Sequence, residues 1–246
     1  MNGSWQSVNL ERHALDIYQP PGASRSPFGM IYLHSAGGES LHGQAAFTRV
    51  FDALGLRCFC PQGDQSWWTD RLCPSYNADR SAEAYLLQVL LPYLEKDHGL
   101  VRPRLGLFGV SMGGQGALRL GFRHPQLFPA VAGISSALEY HQLLYQRMPL
   151  DQMYQSKEQC RQDTAPMHIN PHAAPSTIFF ACDPADAFWF RGNDRLHEKL
   201  GALGIAHECD LTTTRGGHCW EYFDHLAERA IRAVYDGLVQ QSRRLM

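Results

Sequence analysis

No apolar run in this sequence approaches the length needed to cross a bilayer. Its net charge of −2 at pH 7 leaves no cationic surplus, so neither nucleic acid nor an anionic membrane is expected as a partner. The opening Met1-Asn2-Gly3-Ser4-Trp5-Gln6 lacks a basic stretch followed by an apolar one. A secretory leader is therefore not expected, and the expected location is the cytoplasm. The 7 cysteines form an odd set. Most lie inside apolar stretches such as Arg57-Cys58-Phe59-Cys60 and Phe180-Ala181-Cys182, which predicts reduced, buried thiols in place of a disulfide framework. Neither an internal repeat nor an interdomain linker is visible. What remains is a chain of 246 residues with 44% hydrophobic and 19% charged residues, enough to bury a sizeable core as one α/β domain over 1–246.

Residues 4–19 alternate apolar and polar side chains, which predicts an antiparallel hairpin at a sheet edge. A loop follows over 19–27. Buried strands are predicted at 29–34, 56–60, 105–110, 130–135, 176–182 and 207–211. Helices are predicted at 45–54, from Ser81 through the spacing of Leu86, Val89, Leu90, Tyr93 and Leu94, at 112–122 and at 195–203. A closing helix carries Ala227, Ile231, Val234 and Leu238. Pro92 predicts a kink or an early end in the second of these. Strands alternating with helices imply a mostly parallel central sheet with helices on both faces. Residues 137–172 break the rhythm and are expected to form a short irregular helical excursion.

The sequence turns on Gly109-Val110-Ser111-Met112-Gly113. A Gly-x-Ser-x-Gly pattern between a predicted strand and a predicted helix is the setting of a nucleophile elbow. There the serine takes strained backbone angles, and residues two before and two after it must be nearly free of side chain. A serine hydroxyl needs a general base, and the base needs an orienting carboxylate. His218, in Gly216-Gly217-His218-Cys219-Trp220 before the last helix, stands where that base is required. Asp183 and Asp186 both follow strand 176–182 in the loop suited to the acid, or either caps the next helix; Asp186 is the preferred acid. The oxyanion donors are expected to be the backbone N–H of Met112 and that of Ala36, in the turn after strand 29–34. Trp67, Trp68, Phe188 and Trp189 lie on loops near the expected site, either as pocket walls or as buried loop anchors. No metal or organic cofactor is required. Alternation places Cys58 and Cys60 on one face of a buried strand, as core residues rather than ligands, and no elbow surrounds Cys219.

Together these segments resemble the esterase D family, which includes S-formylglutathione hydrolases, small acyl esterases, feruloyl and enterochelin esterases, and mycolyltransferases. The resemblance rests on Gly109 to Gly114, on Ser66-Trp67-Trp68-Thr69, on Leu91-Pro92-Tyr93-Leu94-Glu95, and on the His-x-Trp pattern of His218-Cys219-Trp220. It runs from about residue 28 to the end. The sequence departs from the family pattern at Ser35, where His-Gly-x-x-Gly has glycine, and at Asp183, the glycine position of a Gly-x-x-Asp turn whose acid is then Asp186. The resemblance implies an α/β-hydrolase fold and a serine carboxylesterase acting on small acyl esters or thioesters. An acyltransferase with an alcohol acceptor, or a non-catalytic binding protein of this fold, remains as an alternative. The oligomeric state is left open.

Overall fold

In the computed structural model, residues 3–22 and 26–244 are described. The loop expected over 19–27 thus includes positions 23–25, which lie outside the described residues, as do 1, 2, 245 and 246. The predicted hairpin is present. β1 (Ser4–Leu10) and β2 (His13–Gln19) pair antiparallel around Glu11 and Arg12, both at positive φ (46° and 76°). Such a two-residue turn matches the right-handed twist of the flanking strands.

β2 joins the main sheet antiparallel to β4 (Arg57–Pro61). All later pairings are parallel, through β3 (Gly29–Leu33), β5 (Leu105–Val110), β6 (Ala130–Ile134), β7 (Thr177–Ala181) and β8 (Glu208–Asp210). The order is β1-β2-β4-β3-β5-β6-β7-β8. The direction of winding reverses around β3, and in open α/β sheets the crevice beyond the carboxyl ends of the strands at such a point is where ligands bind.

Successive strand residues feed opposite faces. Met30, Tyr32, Phe108 and Val110 pack under α1 (Ala45–Leu54) and α8 (Trp220–Arg244), whereas Ile31, Leu33, Leu105 and Leu107 belong to the core on the other face. Cys58 and Cys60 share the first face with their sulfurs 3.9 Å apart, as alternation requires, while Phe59 points to the second. All 7 cysteines are free thiols.

Ser81 caps α2 (Ala82–Tyr85), its Oγ accepting the Ala84 N–H. A π-type segment (Leu86–Leu90) leads directly into α3 (Leu91–His98). Pro92 therefore does not end the helix: its missing N–H falls in the first turn of α3, just after the wider π turn, and the helix continues to His98. α4 (Met112–Arg123) follows the elbow.

The expected excursion is present as α5 (Leu150–Met153), α6 (Lys157–Gln162) and two 3₁₀ turns. It is fastened to α4 by Arg119, which is fully buried and ion-paired to Glu83 and Asp163. Burial alone pushes the Asp163 carboxyl up, but His168, Arg119 and the Tyr154 hydroxyl hold it well below its usual range. α7 (Phe190–Ala202) begins before the predicted 195, because the Asp186 carbonyl already accepts the Phe190 N–H.

Candidate active site

Ser111 sits between β5 and α4 at φ 54° and ψ −117°, a strained conformation for a non-glycine residue. The flanking glycines are forced by the geometry. A Cβ at Gly109 would lie 2.4 Å from the Gly113 carbonyl, and one at Gly113 would lie 1.8 Å from Leu33 O. Four more non-glycine residues on connections in this part of the fold have positive φ: Asp64 (46°), Trp67 (56°), Trp68 (54°) and Ser135 (46°).

The structure brings the three expected side chains together. His218 Nε2 lies 3.1 Å from Ser111 Oγ, and His218 Nδ1 lies 2.8 Å from Asp186 Oδ2. A carboxylate only accepts, so Nδ1–H donates to Asp186 and Nε2 presents its lone pair to the serine hydroxyl. Asp186 is buried, and its Oδ1 accepts the N–H groups of Phe188 and Trp189, each at 3.0 Å. Burial raises the Asp186 carboxyl, but the hydrogen bond from His218 and these two amides outweigh it, and the group stays below its ordinary range.

Asp183 makes no contact with the imidazole. Its carboxylate is fully buried and accepts three backbone N–H groups, from Ala185 (2.7 Å), Arg215 (2.5 Å) and Gly217 (2.9 Å). It ties the loop after β7 to the loop carrying His218. Burial pushes this carboxyl up as well, and the amide donors bring it below the usual value. A glycine there, as in the family pattern, could make none of these bonds.

Neither the Met112 nor the Ala36 N–H has a hydrogen-bond acceptor among the described residues. Ala36 and Ser111 line the same cleft, of about 280 Å³. His34 holds the turn in place: it is buried, with Nδ1 2.6 Å from Ser35 O and Nε2 accepting the Gly63 N–H at 2.8 Å. Burial lowers its pKa, in keeping with a neutral ring bonded at both nitrogens. The Ser35 hydroxyl, absent from the family's glycine, accepts the Gly37 N–H at 3.1 Å and donates to Glu39.

The pocket expectation is corrected for the two tryptophans. Trp67 and Trp68 are 2% and 0% exposed and anchor their loop instead of walling the cleft. Trp67 stacks on Tyr140 at 4.6 Å, and the Trp68 indole N–H donates to His34 O at 3.2 Å. Two such large rings are held inside by the area they bury. Phe188 is 72% exposed on the acid loop, Trp189 precedes α7, and neither lines the cleft beside Ser111. The aromatic walls there are Trp220 and Phe223, from the first turn of α8, with Glu39 opposite in the oxyanion turn. Their signal in the sequence was their place two and five residues beyond His218 on a predicted helix.

Residues 7–232 match the protein family described as "Putative esterase". The chain belongs to this esterase family. No curated protein matches the esterase in sequence. Its fold is similar to that of an S-formylglutathione hydrolase from Agrobacterium tumefaciens, with a TM-score of 0.78 and 18% identity over 97% of this chain and 100% of that one. It is also similar to FphF, a fluorophosphonate-binding serine hydrolase of Staphylococcus aureus (TM-score 0.76, 17% identity, 94% and 98% covered), and to a ferulic acid esterase (0.73, 16%, 95% and 98%). At such identities the likeness shows the fold, which is that of the α/β-hydrolases. Family membership makes the esterase a carboxylic ester hydrolase, and the match extends upstream of residue 28 into the β1–β2 hairpin.

Proposed function

We propose that the esterase cleaves small carboxylic esters, and thioesters of similar size, through an acyl-enzyme on Ser111. The observation that carries the reading is the unbroken hydrogen-bonded series Asp186, His218, Ser111 on a strained elbow. In the first step the serine oxygen bonds to the acyl carbon while its proton passes to His218 Nε2. Asp186 holds the resulting imidazolium. The tetrahedral oxyanion is received by the N–H groups of Met112 and Ala36, next to the positive end of the α4 dipole. The carbon–oxygen or carbon–sulfur bond then breaks, and His218 returns its proton to the leaving alcohol or thiol. Water, deprotonated by the same imidazole, attacks the acyl-enzyme and releases the acid and free Ser111. Asp183 and His34 act through position, the one fixing the His218 loop and the other the oxyanion turn.

A cleft of about 280 Å³ lies just below the range of about 300–1,000 Å³ for ligand pockets, which favours short acyl groups. The test is hydrolysis of p-nitrophenyl acetate by the wild-type protein and by Ser111→Ala. Loss of the hydroxyl is expected to lower turnover by about 10³-fold or more. Equal turnover in both proteins refutes the role of Ser111, and no turnover in either leaves a binding scaffold. Transfer of acetyl to an added alcohol in preference to water marks an acyltransferase.

A further inference from the structure

At the opposite edge of the sheet from the hairpin, two imidazoles and a thiol converge. His197 lies on α7, His207 in the segment entering β8, and Cys209 on β8 itself, the last strand of the sheet. His197 Nδ1 and His207 Nε2 are 2.8 Å apart, and Cys209 Sγ is 3.4 Å from His197 Nδ1. All three ligand atoms lie within 4.8 Å of one another, and among the described residues no other three His, Cys, Asp or Glu side chains group in this way.

The arrangement is held from outside. His207 Nδ1 is 2.8 Å from the Ile205 carbonyl oxygen, so Nδ1 carries the proton and Nε2 turns its lone pair toward the cluster. A backbone carbonyl on the far nitrogen is the usual way in which a metal-binding histidine is oriented. The His207 ring also stacks on Phe180 at 5.7 Å and 15°. With His207 Nε2 as acceptor, the 2.8 Å contact requires a proton on His197 Nδ1. That proton occupies the place of a cation.

We propose that His197, His207 and Cys209 form a binding site for a borderline-soft divalent cation of the Zn²⁺ class, separate from the ester-cleaving cleft. Two imidazoles and one thiolate suit this class of ion better than a hard cation such as Mg²⁺. Bond lengths of about 2.0–2.1 Å to nitrogen and about 2.3 Å to sulfur set tetrahedral edges of about 3.4 Å between nitrogens and about 3.5 Å from nitrogen to sulfur. The N···S separation is already 3.4 Å, and the N···N separation must open from 2.8 Å, a change that falls on the exposed His197 ring. Water fills the fourth position. On binding, the His197 proton moves from Nδ1 to Nε2 by exchange with solvent, freeing Nδ1 for the metal, and the Cys209 thiol releases one proton to solvent as its sulfur bonds to the metal. Burial, then Asp210, Glu208 and Asp194, push the free thiol up, and a bound dication reverses that balance. The ion would clamp α7 to β8, the two elements that follow the loop carrying Asp186.

The test uses the full-length protein freed of metal with a chelator and titrated with Zn²⁺ by calorimetry and with Co²⁺ by absorption. One Zn²⁺ per chain is expected, with a thiolate-to-Co²⁺ charge-transfer band that disappears in Cys209→Ser. His197→Gln and Cys209→Ser should each weaken Zn²⁺ binding by at least about 10-fold, as even loss of an orienting partner does. Both variants should keep wild-type turnover of p-nitrophenyl acetate in metal-free buffer, and Zn²⁺ should raise the melting temperature of the wild type but not of His197→Gln. No Zn²⁺ uptake by the wild type, or uptake unchanged in both variants, overturns the proposal. So does binding that is lost only in His218→Ala, which would place the ion in the cleft.

Discussion

A single methyl group at Gly113 tests whether the elbow and the oxyanion turn form one rigid unit. An added Cβ would lie 1.8 Å from Leu33 O, 2.4 Å from Leu33 C and 2.7 Å from His34 O. All three are backbone atoms, so no change of rotamer relieves the contact. Moving the nearest from 1.8 Å to 3.0 Å separates α4 from the end of β3 by about 1.2 Å. α4 carries the Met112 amide, and the turn that leaves β3 carries that of Ala36. A misplacement of about 1 Å can cost about 10²-fold in rate, and the loss of one oxyanion donor about 10²–10³-fold. Gly113→Ala should therefore lower kcat by about 10²–10³-fold with a far smaller change in KM. Overpacking should also lower stability by about 1–3 kcal/mol. Initial rates on p-nitrophenyl acetate and urea unfolding measure the two effects. Gly201→Ala is the control: a Cβ there meets nothing within 4 Å, so turnover should hold and stability should rise by about 0.5–1 kcal/mol. A folded Gly113→Ala protein with wild-type kcat would refute the argument.

The division of labour between the two aspartates is open to a paired test. Asp186→Asn should reduce kcat by about 10⁴-fold, whereas Asp183→Asn should keep most turnover and lose about 1–3 kcal/mol of stability; an equal kcat loss in both would refute the assignment. Arg119→Met leaves Glu83 and Asp163 as buried carboxylates without their shared guanidinium. Urea unfolding should show a loss of about 3–5 kcal/mol, and no loss would mean the excursion is held by other contacts. Burial raises the Asp210 carboxyl, but the amides of Thr213 and Thr212, the Thr213 hydroxyl and Arg229 hold it at about 2, below its ordinary 3.8. A depressed carboxylate contributes stability that is complete above about pH 4 and is lost as pH falls toward the folded value. The wild type should thus exceed Asp210→Asn by on the order of 2 kcal/mol at neutral pH. That margin should shrink from about pH 4 downward, and a margin independent of pH would refute it.

The parts of the fold legible in the sequence were those decided locally. Ala45–Leu54 carries its own helical spacing and ends at Gly55, and β3 to β7 are short apolar runs between turn residues. Ser111 and His218 were legible because an elbow needs glycines at fixed offsets and a base needs a short approach over it. The choice between Asp183 and Asp186 depended on how a loop curls. Spacing offered both, and only the distances to His218 and to the Gly217 amide separate them. Trp67 and Trp68 lie in a stretch that is polar by composition. Their burial depends on Tyr140 and Gly116, more than 40 residues away, which periodicity does not report. The start of α7 was missed for a related reason, since its first turn is set by Asp186 rather than by an apolar stripe.

The distribution of left-handed backbone divides the molecule into a relaxed end and a loaded one. The returns from α1, α3 and α7 into the next strand place positive φ on Gly55, Gly99 and Gly204, where it costs little. At the other end the exposed Asp64 and the buried Trp67, Trp68, Ser111 and Ser135 hold it with full side chains, each at a cost of about 1–3 kcal/mol. Packing over the four buried residues keeps them in place, and packing is what thermal motion loosens first in connections. Warming should therefore disarm this enzyme below the temperature at which its sheet melts, and cooling should restore activity without refolding.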